Sequence, residues 1–500
     1  MKPINFFYLS AFYRTLVYSD AFQSGMIPGK SEVFFRRKMV GLRGGSSSNK
    51  YQSIQEPITQ LNINQQLDAE NTENTGKSTI TASTFNLAKN IIGGGMLALP
   101  AGMAAGGGTG LIPAFALVLS TCILSAYTFV LLGKSVQYTK AASFKDLWAK
   151  TIGSHSAWVI DAAIFAICFG VCTVYGCFLG DIFSSLASLF PSLPTFIASR
   201  TGSIIGITGL VLLPLCLLRD LSALKYSSMA GIGAVIYVTG FIVKRCFDGT
   251  YAIGSGRLLK GLDLAMQPKK AMGGLFTAGS GTFVLFNMLC TAFMAHPNAV
   301  IFYRDLERAD AKRFAKVAFP AFGLAALIYG LVMACGYLTF GLSSSGLILN
   351  NYHKKDDILA VLGRLGTGIS IIGSQPLLFS GLRESAFSTF TTLKLFPKDI
   401  NSKPVLWTVA SITLLTAATI LAILTPNVAV IVSLVGAVLG AGMVYSLPAY
   451  MYLNVLRQKK REGITLKNSL VSIIGLHLVV LFGFIMTILG TGLTLLEIRR

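Results

Sequence analysis

The sequence predicts an all-α membrane protein of about eleven transmembrane helices, and three observations predict it. More than half of the 500 residues are apolar, only 13% are charged, and the mean hydropathy is +0.64. Charged side chains are seldom buried without partners, so a soluble chain of this size would need a larger polar skin. After residue 79 the chain falls repeatedly into apolar runs of about 20 residues, enough to cross a hydrocarbon core of about 30 Å at about 1.5 Å per residue. Most of the 42 basic residues lie in the N-terminal tail and in alternate connections between these runs, the positive-inside pattern. That placement, and not a folded basic face, argues against nucleic acid as a partner of this +21 chain and for the lipid bilayer.

Residues 1–79 read as a disordered tail. From Gly41 to Lys77 the stretch is rich in Ser, Asn, Gln, Thr and Gly, and cannot bury enough surface to fold. Phe6 to Phe22 is a weakly apolar run ahead of Arg36-Arg37-Lys38, so the tail is either a targeting segment or a plain cytosolic extension. Tyr51-Gln52-Ser53-Ile54 fits a tyrosine-based sorting signal. The transmembrane domain follows over 80–500. Its expected spans are 80–103, 110–133, 157–189, 202–218, 222–243, 272–302, 314–341, 358–382, 405–424, 427–452 and 469–493. The basic loops place the N-terminus in the cytosol, although the connection Lys244 to Lys270 runs against that orientation.

Two of these spans are expected to break. Span 1 carries Gly93-Gly94-Gly95 followed by Pro100; span 6 carries glycines early and His296-Pro297 late. A broken helix strands N–H and C=O groups in lipid, so irregular backbone at that depth belongs around a cavity. Broken spans at corresponding positions of two halves point to a transporter site, with spans 1–5 and 6–10 as a five-plus-five inverted repeat and span 11 as one extra helix. Glycines in membrane helices also serve close packing, the reading given to Gly436, Gly440 and Gly442 of span 10; three in a row point in three directions and argue for a break.

A free half-helix N-terminus favours a carboxylate, and freed carbonyls suit an ammonium or a small cation, so the predicted site is shaped for a zwitterion such as an amino acid. Candidate substrate-binding residues are Gly93, Gly94, Gly95 and Met96 on span 1 and Asn287, Thr291 and Phe293 on span 6. No acidic or basic residue is evident there, which favours neutral side chains. Asp161, Asp181 and Arg364 are costly in lipid and are functional candidates by default. His296 and Asp181 are candidates for gating or proton response, although Asp181 could instead only cap or pair near the outer end. The cysteines show no metal-ligand spacing, and no catalytic or metal site is expected; no cofactor is implied.

At these motifs the chain resembles the amino acid/auxin permease family, nearest to the sodium-coupled neutral amino acid transporters and the plant vacuolar amino acid exporters. The likeness rests on FNLAKNIIGGGMLALP from Phe85, VYGCFLGDI from Val174, AFMAHPNAVIFYRDL from Ala292, the spacing of Arg364 and Arg383, and SLVGAVLG from Ser433. The resemblance implies secondary active transport of amino acids by alternating access, coupled to H+ or Na+. One residue departs from the pattern: Lys89, followed by Asn90, stands where sodium-coupled members carry an asparagine. A lysine ammonium could replace the sodium charge and load protons, or could reach toward the headgroups. The span 8 side of an ion site would be Ser370 and Ser374. Proton-coupled symport by a monomer is the expected activity. The alternative is an amino-acid-binding nutrient sensor signalling through its N-terminal tail. The membrane is an endomembrane, of vacuole or plastid, or the plasma membrane.

Overall fold

The structure is a computed structural model that describes residues 76–219, 225–270, 274–397, 400–464 and 470–499. The targeting and sorting features read in the tail lie outside the described residues. Among the described residues the secondary structure is helical, with two isolated β-bridges. Eight helices among the described residues are long and apolar enough to cross a membrane. Of the three further predicted spans, span 1 is split, span 4 (Arg200–Cys216) is short, and span 5 (Lys225–Phe247) is a single helix of 23 residues. The chain is a multi-pass membrane protein. The side on which span 1 begins is called near, the opposite side far.

Span 1 starts at Thr79, whose side chain accepts from the Ala82 N–H and so caps Ile80–Ile91. The helix stops where Ile92 turns extended (φ −76°, ψ 94°). After Gly93 the chain restarts as a 3₁₀ turn, Gly94–Ala98, and an α-turn, Leu99–Ala104. Span 6 repeats the design in the opposite direction: Ser280–Ala292, a break over Phe293–Ala295, then His296–Asn298 and Ala299–Asp305. Pro297 sits in the first turn of the second half of span 6, and Pro100 in the first turn of Leu99–Ala104, after the 3₁₀ turn; at such positions the missing N–H costs little. Both prolines follow the breaks and do not cause them.

Span 7 (Ala311–Phe340) packs along span 2 (Leu111–Thr139) and both halves of span 1. Span 8 (Ile358–Thr392) packs along span 3 (Ala157–Ala187) and span 5, and span 3 also carries spans 4 and 9 (Pro404–Leu424). Span 10 runs over Val428–Arg461 with π-turns at Gly436–Gly440 and Gly442–Ser446, and span 11 over Leu470–Arg499. A Cβ on Gly436 would overlap the Asn287 carbonyl and lie 2.6 Å from Thr291 Oγ1, so this glycine serves close packing of spans 10 and 6. Spans 2, 8 and 10 overrun their expected ends, because hydropathy marks only the lipid-buried part of a helix that continues into water.

Both faces are pinned by polar contacts. On the near side the segment before span 1 pairs with the end of span 6: Ser78 N–H donates to the Asp305 carbonyl (2.9 Å), and Glu307 N–H to the Ser78 carbonyl (3.0 Å). There too Lys145 meets Asp161 at 2.5 Å, and both contact Ser388. On the far side Arg245, at the end of span 5, grips the buried Asp357 carboxylate through two nitrogens (3.0 and 2.7 Å). Asp248 follows in the loop. Burial opposes its charge, but hydrogen bonds from the Thr250 hydroxyl and N–H, Arg245 and Lys244 outweigh it and hold the carboxyl well below the usual range. Arg364, a functional candidate from sequence, donates to the carbonyls of Leu349, Tyr352 and His353 and so secures the loop after span 7.

Candidate functional site

The two breaks meet at one side chain. Tyr329 of span 7 is fully buried, and its hydroxyl lies 2.8 Å from the Ile91 carbonyl and 2.9 Å from the Ala292 carbonyl. These are the last carbonyls of the two first halves, which have no helical partner. The sequence reading left them for a ligand cation; in the structure Tyr329 covers both. A tyrosine amid an apolar span was the available signal, since a buried phenol hydroxyl needs a partner.

Beyond the break the N–H groups of Gly94 and Gly95 open the second half of span 1 without helical partners. The Tyr175 hydroxyl of span 3 is placed against the Gly94 backbone. A Cβ on Gly93 would come within 3.3 Å of that hydroxyl, and one on Gly94 within 3.3 Å of the Phe178 ring. Gly95 faces open space, with nothing within 4 Å. Donors, open volume and aromatic walls therefore coincide here. Met96 is buried beside them.

The span 6 candidates divide. Thr291 donates to the Val432 carbonyl of span 10 (2.8 Å). Phe293 is buried against Phe322 and Tyr329 of span 7. Asn287 turns to span 11, donating to the Gly490 carbonyl (3.2 Å) and to Thr494 Oγ1 (3.1 Å). His296 is buried, with Nε2 3.0 Å from Thr128 Oγ1 of span 2 and its ring edge-on to Phe129. Asn90 accepts from Asn298 Nδ2 (3.3 Å), tying span 1 to span 6 across the breaks. Lys89 is half-buried and has no hydrogen bond or ion pair among the described residues. Ser374 donates to the Ser370 carbonyl, and Ser370 lies against Gly231 of span 5. The structure therefore ties Asn90 to span 6 and turns Ser370 toward span 5.

Two cavities flank the break. The near one, about 620 Å³, reaches Ser83 and Asn86 on the first half of span 1 and Phe302 and Asp305 on span 6. The far one, about 500 Å³, reaches Ala101 and Ala104 on the second half of span 1, Val284 on span 6, Ser433 and Thr494. Asp181 and Arg200 line its wall as an ion pair (2.6 Å), with Asn350 donating to the other carboxylate oxygen (3.1 Å) and Arg200 also to the Ala422 carbonyl (3.3 Å). Sequence reasoning singled out Asp181 and not its partner Arg200, which lies between the expected spans 3 and 4.

A family model described as "Transmembrane amino acid transporter protein" matches residues 76–491. A Mus musculus protein, provisionally named sodium-coupled neutral amino acid transporter 11, is 25% identical over 419 residues, 83% of this chain and 86% of its own. Vacuolar amino acid transporter 7 of Saccharomyces cerevisiae is 28% identical over 311 residues, 61% of this chain and 58% of the yeast protein. Among solved structures, the inward-facing conformation of Mhp1 superposes with a TM-score of 0.53 at 12% identity, over 85% of this chain and 90% of that one. That last likeness is one of fold. The named relatives are transporters and not enzymes.

Proposed function

Because the chain belongs to the transmembrane amino acid transporter family, we propose that it is a secondary active transporter carrying neutral amino acids by alternating access between its two cavities. The observation that carries this reading is the pair of breaks joined at Tyr329, lying between a cavity on each side. The substrate carboxylate would meet the Gly94 and Gly95 N–H groups, where a helix N-terminus favours negative charge. Its ammonium would meet the carbonyl side of the breaks in competition with the Tyr329 hydroxyl. Tyr175, Phe178 and Gly95 would border a neutral side chain.

For coupling we favour the proton over sodium, because Lys89, one turn before the break, carries an ammonium without a partner among the described residues. The membrane we favour is an endomembrane, in line with the vacuolar relative. Counterflow of the twenty amino acids in proteoliposomes tests the reading. Uptake of neutral ones, raised by a pH gradient and indifferent to sodium, is the expected result. Uptake that needs a sodium gradient and ignores pH would overturn the coupling; no uptake of any amino acid would overturn the transport reading.

A sensor reading has one observation in its favour: Ser78, just ahead of span 1, is hydrogen-bonded to the end of span 6, so the tail would report a movement of that half-helix. Deleting residues 1–75 separates the two. A carrier keeps its flux, whereas a sensor loses its partner and keeps binding.

A further inference from the structure

The floor of the far cavity carries a polar cluster that is not closed on itself. Ser433 of span 10 and Thr494 of span 11 line it, with hydroxyl oxygens 3.0 Å apart. Asn287 of span 6, fully buried, donates both amide hydrogens: one to Thr494 Oγ1 (3.1 Å), one to the Gly490 carbonyl (3.2 Å). The reverse amide orientation would set two acceptors against each other at Gly490. Span 11 comes this close because Gly490 has no Cβ, which would overlap Asn287 Oδ1.

The donor and acceptor inventory leaves two groups over. The Ser433–Thr494 contact uses one hydroxyl hydrogen of two, so one O–H has no acceptor among the described residues. Asn287 Oδ1 is buried with no donor among the described residues. Buried polar groups are rarely left unmet. The Arg245 cluster differs here: Arg245, Asp357, Tyr251 and Thr250 bond one another. Asn287 Oδ1 lies behind the cavity wall against Gly490, so a guest meets the spare O–H as donor and the free lone pairs of the Ser433 and Thr494 hydroxyls as acceptors, and must carry both an acceptor and a donor at its tip. Hydroxyl and carboxamide side chains do; aliphatic ones do not. Asn287 lies five residues before the break at Ala292, about 7 Å along the helix, which a side chain of a few bonds spans from main-chain groups held at the break.

We propose that Ser433 and Thr494, oriented by Asn287 as a positioning residue, form the subsite that reads the substrate side chain and favours hydroxyl or carboxamide amino acids over apolar ones of the same shape. This rests on the transport reading above. A site built to hydrogen-bond a substrate group rejects the analogue lacking it far more strongly than an apolar pocket rejects an added hydroxyl.

The test is counterflow through the full chain in proteoliposomes with shape-matched pairs, threonine against valine and asparagine against leucine. The wild type should favour the polar member by about tenfold or more. Thr494→Val, which keeps the shape, should bring each ratio to within about twofold, Thr494→Ser should retain it, and Ser433→Ala should lower it. Equal transport of both members by the wild type, or an undiminished ratio in Thr494→Val and Ser433→Ala, would overturn the subsite alone. Absence of flux for all four amino acids would overturn it together with the transport reading.

Discussion

Two glycine triplets bracket the second half of span 1, and they do different physical work. Gly93–Gly95 forms the break, yet none of the three has a positive φ: Gly93 is extended (φ −119°, ψ −172°), as any residue can be. What these glycines supply is the absence of a Cβ, at the Tyr175 hydroxyl, at the Phe178 ring and in the open space at Gly95. Gly106–Gly108 ends the span, and all three have positive φ (57°, 90° and 101°), a turn that L side chains resist. The same tripeptide thus makes room in one place and makes a turn in the other. The first triplet should tolerate alanine in the fold and fail in transport; the second should fail in the fold.

The largest cost is expected at Gly106. Alanine there is strained by its φ, and its Cβ would lie 2.6 Å from the Gly281 nitrogen, backbone that cannot step aside. Spans 1 and 6 would be forced apart, at about 3 kcal/mol or more. Thermal unfolding in detergent should show the loss, and a Gly106→Ala protein of wild-type stability would dissolve the distinction between the triplets. Next comes Tyr329→Phe, which removes the hydroxyl shared by the Ile91 and Ala292 carbonyls. Leaving buried acceptors unmet costs about 1–3 kcal/mol. Thermal unfolding and counterflow, measured together, should both fall; unchanged values in both would mean that water covers these carbonyls equally well.

Gly107 isolates backbone strain from contact. Its φ is +90°, but a Cβ there meets nothing within 4 Å. Gly107→Ala should therefore cost only the left-handed penalty, about 1–2 kcal/mol, visible as a smaller drop in melting temperature than Gly106→Ala gives. Equal drops would assign the Gly106 effect to strain and not to its contact with span 6.

How far these roles could be read from sequence depends on the kind of signal. Span 1 and span 6 were legible as broken because runs of glycine and a late His-Pro cannot continue an ordinary helix, and the family motifs lay on the same residues. The contrast between Gly93–Gly95 and Gly106–Gly108 was not legible: a glycine codon does not say whether φ or space is at stake. Tyr329 escaped because its role needs two carbonyls from segments 238 and 37 residues away. Asn287 was expected to face the site from span 6, but its amide turns toward span 11, which follows from how Gly490 packs and which no local pattern encodes. Side-chain periodicity gives the lipid face of a helix far better than it gives which neighbour fills the other face.

Gly95→Ala should have the smallest effect on the fold and is the sharpest test of the first triplet. The added methyl enters space with no atom within 4 Å, at a negative φ that alanine accepts, so neither clash nor strain is introduced. Alanine also gains helix propensity over glycine by up to about 1 kcal/mol at the start of the 3₁₀ turn, so the melting temperature should hold or rise slightly. The same methyl stands beside the N–H groups assigned to the substrate carboxylate. Displacing a bound group by about 1 Å can cost about 100-fold in rate, so the initial rate of counterflow should fall by about tenfold or more while the protein stays folded. A folded Gly95→Ala protein with wild-type flux would mean that the open space at the break is packing slack, and that the substrate is held elsewhere along spans 1 and 6.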